Sequence, residues 1–450
     1  MTSKQTQTDP AGSHPARAAA ERVAAKLRQA GYQAYFVGGC VRDLLRGVEP
    51  NDWDITTDAC PDEVLKLFPH SLMLGAQFGV VGVMIGKDCI EVATFRNDGL
   101  YSDGRRPDAV SYTRDPREDV LRRDFTINGL LMEPESGKVL DYVEGQQDIE
   151  RRRVRAIGSP QRRFAEDRLR MLRALRFATV LGYEIEPATL EAVRSHAEAI
   201  SEVSAERVRD ELLYILTSGR ARPGFELLDA SALLRHILPE ISAMKGVAQP
   251  PEFHPEGDVW THTLLMLELL EGNCSETLAL GVLLHDVGKP PTFRVAPDRI
   301  RFDNHVTVGV RMAEEICRRL RLSHDQTVQV AALVENHLRF KDVPQMRPST
   351  LKRFLRLERF EEHMELHRLD CLSSHRNLQN YEYVRARMQE LPAEAIRPPR
   401  LVTGDDLIAM GLPPGPRFQE ILRAVEDAQL EGQLHSREEA LQLVRKNFSL

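Results

Sequence analysis

The chain has 450 residues, a formal net charge of −7, 42% hydrophobic and 28% charged residues. That balance fits a globular, water-soluble protein of about three or four domains, and no apolar run approaches the roughly 18 residues of a membrane span. Six scattered cysteines with no C-x-x-C pair favour free thiols in a reducing cytoplasm over a disulfide frame or zinc knuckle.

In chain order, residues 1–30 read as a polar tail and an N-terminal helix without a secretory signal. Residues 31–150 alternate short strands ("AYFVGG", "VVGVMI", "CIEVATF", "GLLMEP") with short helices ("CVRDLLRG", "PDEVLKLF"), a small α/β domain. From Phe164 the pattern turns helical, with apolar residues three and four apart and glycine at helix ends. Residues 151–248 form a first helical region. Pro250-Pro251 open a histidine-bearing helical region, 249–397, and Pro398-Pro399 precede a helical tail, 398–450. The run Arg151–Arg176 holds ten arginines against Glu166 and Asp167. Such a run repels itself unless a polyanion is near, although a solvated helix face is the plainer reading.

The stretch "VGGCVRDLLRGVEPNDWDITTDA", Val37 to Ala59, carries the first chemistry. Asp52 and Asp54 flank Trp53, so on a strand their carboxylates share a face. Close carboxylates repel unless a cation sits between them, and a hard divalent ion, Mg²⁺ above all, resolves the conflict. Upstream, Gly38-Gly39 stand between a strand and a helix start, a turn that exposes backbone N–H groups to phosphate, and Arg42 can add a bidentate contact. A D-x-D alone reads as a surface turn, and Gly-Gly alone as a plain turn. Together they equip metal-assisted phosphoryl or nucleotidyl transfer. Glu91, opening "EVATF", supplies a third carboxylate.

These residues, followed in order by "EVATFR", "RRDFTINGL", "DYVEGQQDI", "EDRLRMLRALRFA" and "ERVRDELLYIL", resemble the polymerase β-type nucleotidyltransferases, and among them the class II tRNA CCA-adding enzymes and bacterial poly(A) polymerases. The resemblance implies an α/β nucleotidyltransferase head followed by mainly helical neck, body, HD and tail regions. In "RRDFTIN", Arg123 suits phosphate, and Asp124 and Asn128 suit a ribose; the resemblance implies that this motif favours ribonucleotides. In "EDRLRMLRALRF", Asp167 and Arg170 are i and i+3 on a helix, so they share one face. The Asp accepts and the Arg donates, a pattern that suits the edges of C and A. Arg173 and Arg176 continue that face toward a triphosphate. A surface ion pair is the plainer reading of Asp167 and Arg170. A polar loop holding Arg105-Arg106-Pro107-Asp108 is, in this family, associated with the switch from C to A addition.

His262, the pair His285-Asp286 followed by Gly288-Lys289, His305, His337 and Asp370 resemble the HD phosphohydrolase domain. Imidazoles with carboxylates suit a divalent transition metal or Mg²⁺, although a single histidine on an apolar helix is more often a core residue. The reading predicts a cytoplasmic tRNA nucleotidyltransferase using CTP and ATP. Asp52 and Asp54, with Glu91, would hold Mg²⁺, tRNA would be the partner, and no membrane or obligate protein partner is implied. Poly(A) synthesis, A-only addition, and an HD phosphohydrolase with a nucleotide-binding head remain the alternatives.

Overall fold

A computed structural model describes residues 15–75, 79–99, 104 and 109–448. The chain divides into two compact units, Met1–Pro239 and Glu240–Leu450.

The first unit holds the strands β1 (Ala34–Val37), β2 (Asp54–Thr57), β3 (Ser71–Gly75), β4 (Val80–Ile85), β5 (Asp88–Thr94), β6 (Arg96–Asp98), β7 (Val110–Tyr112), β8 (Leu130–Met132) and β9 (Val139–Asp141). Seven of them form one sheet in the order β3-β4-β5-β2-β1-β8-β9, with β6 and β7 in a separate ladder. Valine and isoleucine at alternating positions drive the central strands inward. Ile55, Val81, Val83 and Val92 are fully buried. The parallel pair β2–β5 is the feature that matters for function, because it sets Asp54 directly opposite Glu91. Glu91 therefore stands in mid-strand, in contrast to the expectation that it opens its strand.

Helices follow the sheet. Ser159 caps the helix Pro160–Glu166, with proline in its first turn. The next helix, Leu169–Leu181, ends at Gly182 in the left-handed conformation, φ 66°. The region predicted as helical also holds a parallel two-strand ladder, Arg153–Val154 with Glu184–Ile185.

The second unit is built from the helices Val259–Leu269, Glu276–Leu284, His305–Arg319, His324–Asn336 and Phe360–Ser373. Glu276–Leu284 is apolar around its circumference and buried from Thr277 onward, so the others pack about it. Just after it, Gly288 has no side chain for a reason. A Cβ there would stand 2.1 Å from the His305 carbonyl oxygen and 2.6 Å from the Gly309 nitrogen. Only glycine lets the helix that begins at His305 come this close. The tail helices Pro416–Leu430 and Arg437–Asn447 share a core of their own with Val402 and Leu407. Among the described residues, no helix is long and apolar enough to cross a membrane.

Candidate functional site

Asp54 is the first residue of β2, and Asp52 lies two residues ahead of it, just before the strand. Trp53 between them is buried and anchors the turn. Burial and the neighbouring Glu91 push the Asp54 carboxyl up to about 6, with Asp52 adding repulsion and Arg123 opposing it. A half-buried carboxylate with two others near it demands positive charge. The all-oxygen donor set of Asp52, Asp54 and Glu91 fits a hard divalent ion such as Mg²⁺.

Gly38 adopts φ 77° at the start of the helix Gly39–Leu45. Two guanidinium groups stand over the glycine pair. The Arg123 Nη1 lies 3.8 Å from where a Gly38 Cβ would be, and the Arg42 Nη2 lies 3.6 Å from the corresponding point on Gly39. A Cβ would meet either cation at ordinary contact distance, so what requires glycine at position 38 is its positive φ, and the bare backbone leaves the cations close above it. Arg123 is aimed by fully buried Asp119, whose Oδ2 accepts from it at 2.9 Å. Arg42 is held too, donating to Asn128 Oδ1 at 2.8 Å and to both Asp43 oxygens.

Four of the sequence-predicted sugar and phosphate residues, Arg42, Asn128, Asp124 and Arg173, form one hydrogen-bonded chain. Asp124 accepts from Arg173 at 2.6 and 2.8 Å and from the Asn128 amide at 3.4 Å. Burial opposes the Asp124 charge, but Arg173 and Arg170 outweigh it and hold the carboxyl down at about 2. Arg176 pairs with Glu211 at 2.9 Å and lies over Phe177 and Tyr214.

One expectation needs correction. Asp167 and Arg170 do not share a helix face. Asp167 is extended, φ −144° and ψ 107°, at the break between Pro160–Glu166 and Leu169–Leu181. Its carboxylate accepts from the next helix at Leu169 N, 3.1 Å, and from Arg207 at 2.8 and 3.1 Å. Arg170 is held by Glu166 at 2.8 Å. Each member of the expected base-reading pair is thus fixed by a separate partner.

A second difference concerns the arginine run. Carboxylates from outside the run compensate it: Asp124 for Arg173, the nearby Glu144 and Asp148 for Arg155, Glu202 for Arg168, Glu211 for Arg176. Much of the run is therefore tied internally. Arg105-Arg106-Pro107-Asp108 lies outside the described residues.

In the second unit, every predicted histidine and acid converges. His262, His285 and Asp370 form one group, and Asp286, His305 and His337 another, each with ligand atoms all within 4.8 Å. The ring centroids run His262–His285 at 5.4 Å, His285–His337 at 5.6 Å and His337–His305 at 5.9 Å. Nδ1 of His285, His305 and His337 is spent on a backbone carbonyl, at 2.8, 2.8 and 2.7 Å. Their Nε2 atoms, and that of His262, are buried; His262 Nε2 lies 3.2 Å from Asp370 and His285 Nε2 3.2 Å from Asp286, while those of His305 and His337 have no hydrogen-bond partner. Burial drives His337 down to about 4, so its lone pair is free. His262 behaves differently. Burial opposes its charge, but Asp370 and Glu256 prevail and raise it to about 9. The cluster thus calls for cationic charge where the Nε2 atoms converge. Aligned imidazole lone pairs with two carboxylates fit a divalent metal. Lys289 reaches Asp286 at 2.6 Å.

Sequence reasoning passed over Asp119, Glu166, Arg207 and Glu211 as partners in the first unit, and His254 and Glu256 in the second. Arg207 and Glu211 lie inside the motif "ERVRDELLYIL", which is the signal that could have found them.

The sequence matches three family models: "Poly A polymerase head domain" over 34–155, "Probable RNA and SrmB-binding site of polymerase A" over 182–245, and "HD domain" over 259–375. It is 45% identical over 210 residues to a CCA-adding enzyme of Levilactobacillus brevis, covering 47% of this chain and 53% of that one. It is 37% identical over 255 residues to a CCA-adding enzyme of Lactobacillus helveticus, covering 56% and 63%. The match thus spans little more than half the length of these curated relatives. The fold is similar to the crystal structure of the Bacillus stearothermophilus CCA-adding enzyme in complex with CTP, with a TM-score of 0.73 and 26% identity over 97% of this chain and 99% of that one. It also resembles the Thermotoga maritima CCA-adding enzyme complexed with tRNA, with a TM-score of 0.57 and 19% identity over 96% and 95%. The chain thus carries a poly(A) polymerase-type head domain, an RNA-binding region of polymerase A type and an HD domain, and over nearly its whole length its fold is similar to that of a CCA-adding enzyme.

Proposed function

We propose that the protein is a cytoplasmic tRNA nucleotidyltransferase that builds the CCA 3′ end from CTP and ATP. The observation that carries this is the register that sets half-buried Asp54 opposite Glu91, with Asp52 near it, beside the glycine pair under Arg42 and Arg123. Asp52, Asp54 and Glu91 would hold Mg²⁺, which when bound supplies charge neutralisation for attack of the RNA 3′-hydroxyl on the α-phosphate. The Gly38-Gly39 backbone and Arg123 would take the triphosphate, and Asp124 and Asn128 would bound the sugar. Asp167, fixed by Arg207, would accept from the amino group of C or A, while Arg170, fixed by Glu166, would donate to the ring acceptor. Pyrophosphate leaves. The sequence division 31–150, 151–248, 249–397 and 398–450 would then be head, neck and body, HD domain and tail.

The test offers the protein tRNA lacking CCA, tRNA ending in CC, and unstructured RNA, each with labelled CTP or ATP alone and together. The expected result is addition of CCA to the first acceptor, then arrest. Extension only of tRNA ending in CC would make it an A-adding enzyme. Long A tails on unstructured RNA would make it a poly(A) polymerase. The four buried Nε2 atoms that converge with Asp286 and Asp370 favour a second, additional activity, hydrolysis of a phosphoester at the HD metal centre. Release of phosphate or ring opening of a cyclic phosphate on supplying a divalent metal is the assay for it.

A further inference from the structure

The HD family model starts at residue 259, yet two side chains from the segment just before it reach the histidine cluster. Glu256 Oε1 accepts from His262 Nδ1 at 2.7 Å and from His254 Nδ1 at 2.8 Å. The His254 and His262 rings meet edge to face, 4.9 Å between centroids. The Glu256 side chain is only 7% exposed, and its second oxygen is buried without a partner.

The other histidines explain why this glutamate is needed. His285 caps the end of Glu276–Leu284, His305 begins His305–Arg319, and His337 caps the end of His324–Asn336. At helix ends, geometry lets a ring reach the carbonyl three residues back: Val282, Phe302 and Val334 respectively. That bond places the proton on Nδ1 and turns Nε2 inward. His262 is the exception, because it sits inside the helix Val259–Leu269. The Val259 carbonyl is already taken by the Thr263 hydroxyl at 2.9 Å. His262 Nδ1 makes no bond to its own helix; its partners are Glu256 Oε1 at 2.7 Å and Ser373 Oγ at 3.5 Å, so its orientation comes from outside the helix.

We propose that Glu256 is a positioning residue of the HD metal centre. It locks His262 with Nδ1–H outward and Nε2 toward Asp370, 3.2 Å away, and His254 in turn locks Glu256. A carboxylate behind a ligating imidazole fixes its plane and raises its basicity more than a carbonyl does. The inference rests on reading the cluster as a metal site.

The experiment strips the full chain of metal and titrates it with Co²⁺, reading affinity by chelator competition, stoichiometry, and the visible spectrum. The variants are Glu256→Ala, Glu256→Gln and His262→Ala, each checked for its fold by circular dichroism. The expected result is an affinity loss of about 10–100-fold in Glu256→Ala with unchanged stoichiometry. Glu256→Gln, whose amide oxygen still accepts from Nδ1, recovers most of that loss. Wild-type affinity and spectrum in Glu256→Ala, beside a loss in His262→Ala, would overturn the proposal while leaving the metal site intact. Loss of one whole ion in Glu256→Ala would make Glu256 a ligand and likewise overturn it. Absence of Co²⁺ binding in the wild-type chain overturns the metal reading itself, and the proposal with it.

Discussion

Asp54 carries a charge that its surroundings resist. Burial, Glu91 and Asp52 all favour its protonated form, so without a cation the folded protein is penalised for ionising it. The sign follows: a carboxyl raised in the fold costs stability above its unfolded value of about 4, and that cost grows as pH rises toward about 6. Asp54→Asn is therefore expected to abolish nucleotide incorporation, while the melting temperature in EDTA at neutral pH does not fall. Normal turnover in the folded variant would remove Asp54 from the site. Arg207 acts at the same scale. Its two bonds to Asp167 fix the carboxylate that would meet the base. Arg207→Ala is expected to lower kcat/KM for CTP by roughly 10²-fold, since a small misplacement at a reacting centre costs that much. Single-nucleotide incorporation measures it, and unchanged kinetics would show that Asp167 needs no support. The Asp52-x-Asp54 spacing was visible in the sequence because it is local. The Asp167–Arg207 pair was not, because forty residues separate partners that only the packing of two helices brings together.

Among the elements, helix ends decide most of the chemistry. The break at Asp167 illustrates how periodicity misleads: apolar spacing continues from Phe164 to Leu181, yet Asp167 accepts from Leu169 N and starts a new helix. Aspartate is a strong helix-start residue, so the signal was present but weaker than the period. Gly288 is the counterpart in the second unit. Gly288→Ala would drive a methyl group against the His305 carbonyl and the Gly309 nitrogen, backbone atoms with no freedom to yield. The helix His305–Arg319 would have to move, taking His305 away from Asp286. The expected cost is about 1–3 kcal/mol in denaturant unfolding, with weaker Co²⁺ binding. Unchanged values for both would mean that the helix has slack. Strand assignments fared better. "VVGVMI" is β4 residue for residue, since β-branched runs bounded by turns have one good solution. The pairing of Glu91 with Asp54 was not legible, because strand register is set by the neighbour and not by the strand itself.

Taking the chain as a whole, acid sensitivity is expected to come from the second unit. His363 is buried with neither ring nitrogen hydrogen-bonded, and burial, helped by the nearby Arg339 charge, lowers it to about 4. His367, stacked on Phe340, is lowered to about 4 by burial. A histidine depressed in the fold contributes stability above its unfolded value of about 6.5 and loses it as pH falls toward 4, because the unfolded chain takes up the proton first. For His363 the loss is on the order of 3 kcal/mol by pH 4. Denaturant midpoints between pH 7 and 4 should fall, and His363→Leu should flatten the slope. An equal slope in the variant would contradict this. Local sequence fixed the chemistry available to this protein: the paired aspartates, the glycine turn, the His-Asp pair, and the order of motifs that marks the family. Those features need only near neighbours, so composition and spacing expose them. Tertiary structure alone decided which charges are spent and which are free. It neutralised much of the arginine run with carboxylates from across the first unit, and it turned four histidines from separate helices of the second toward one point. Ion pairs and ligand sets are long-range contacts, and their partners are chosen by packing, which no single stretch of sequence contains.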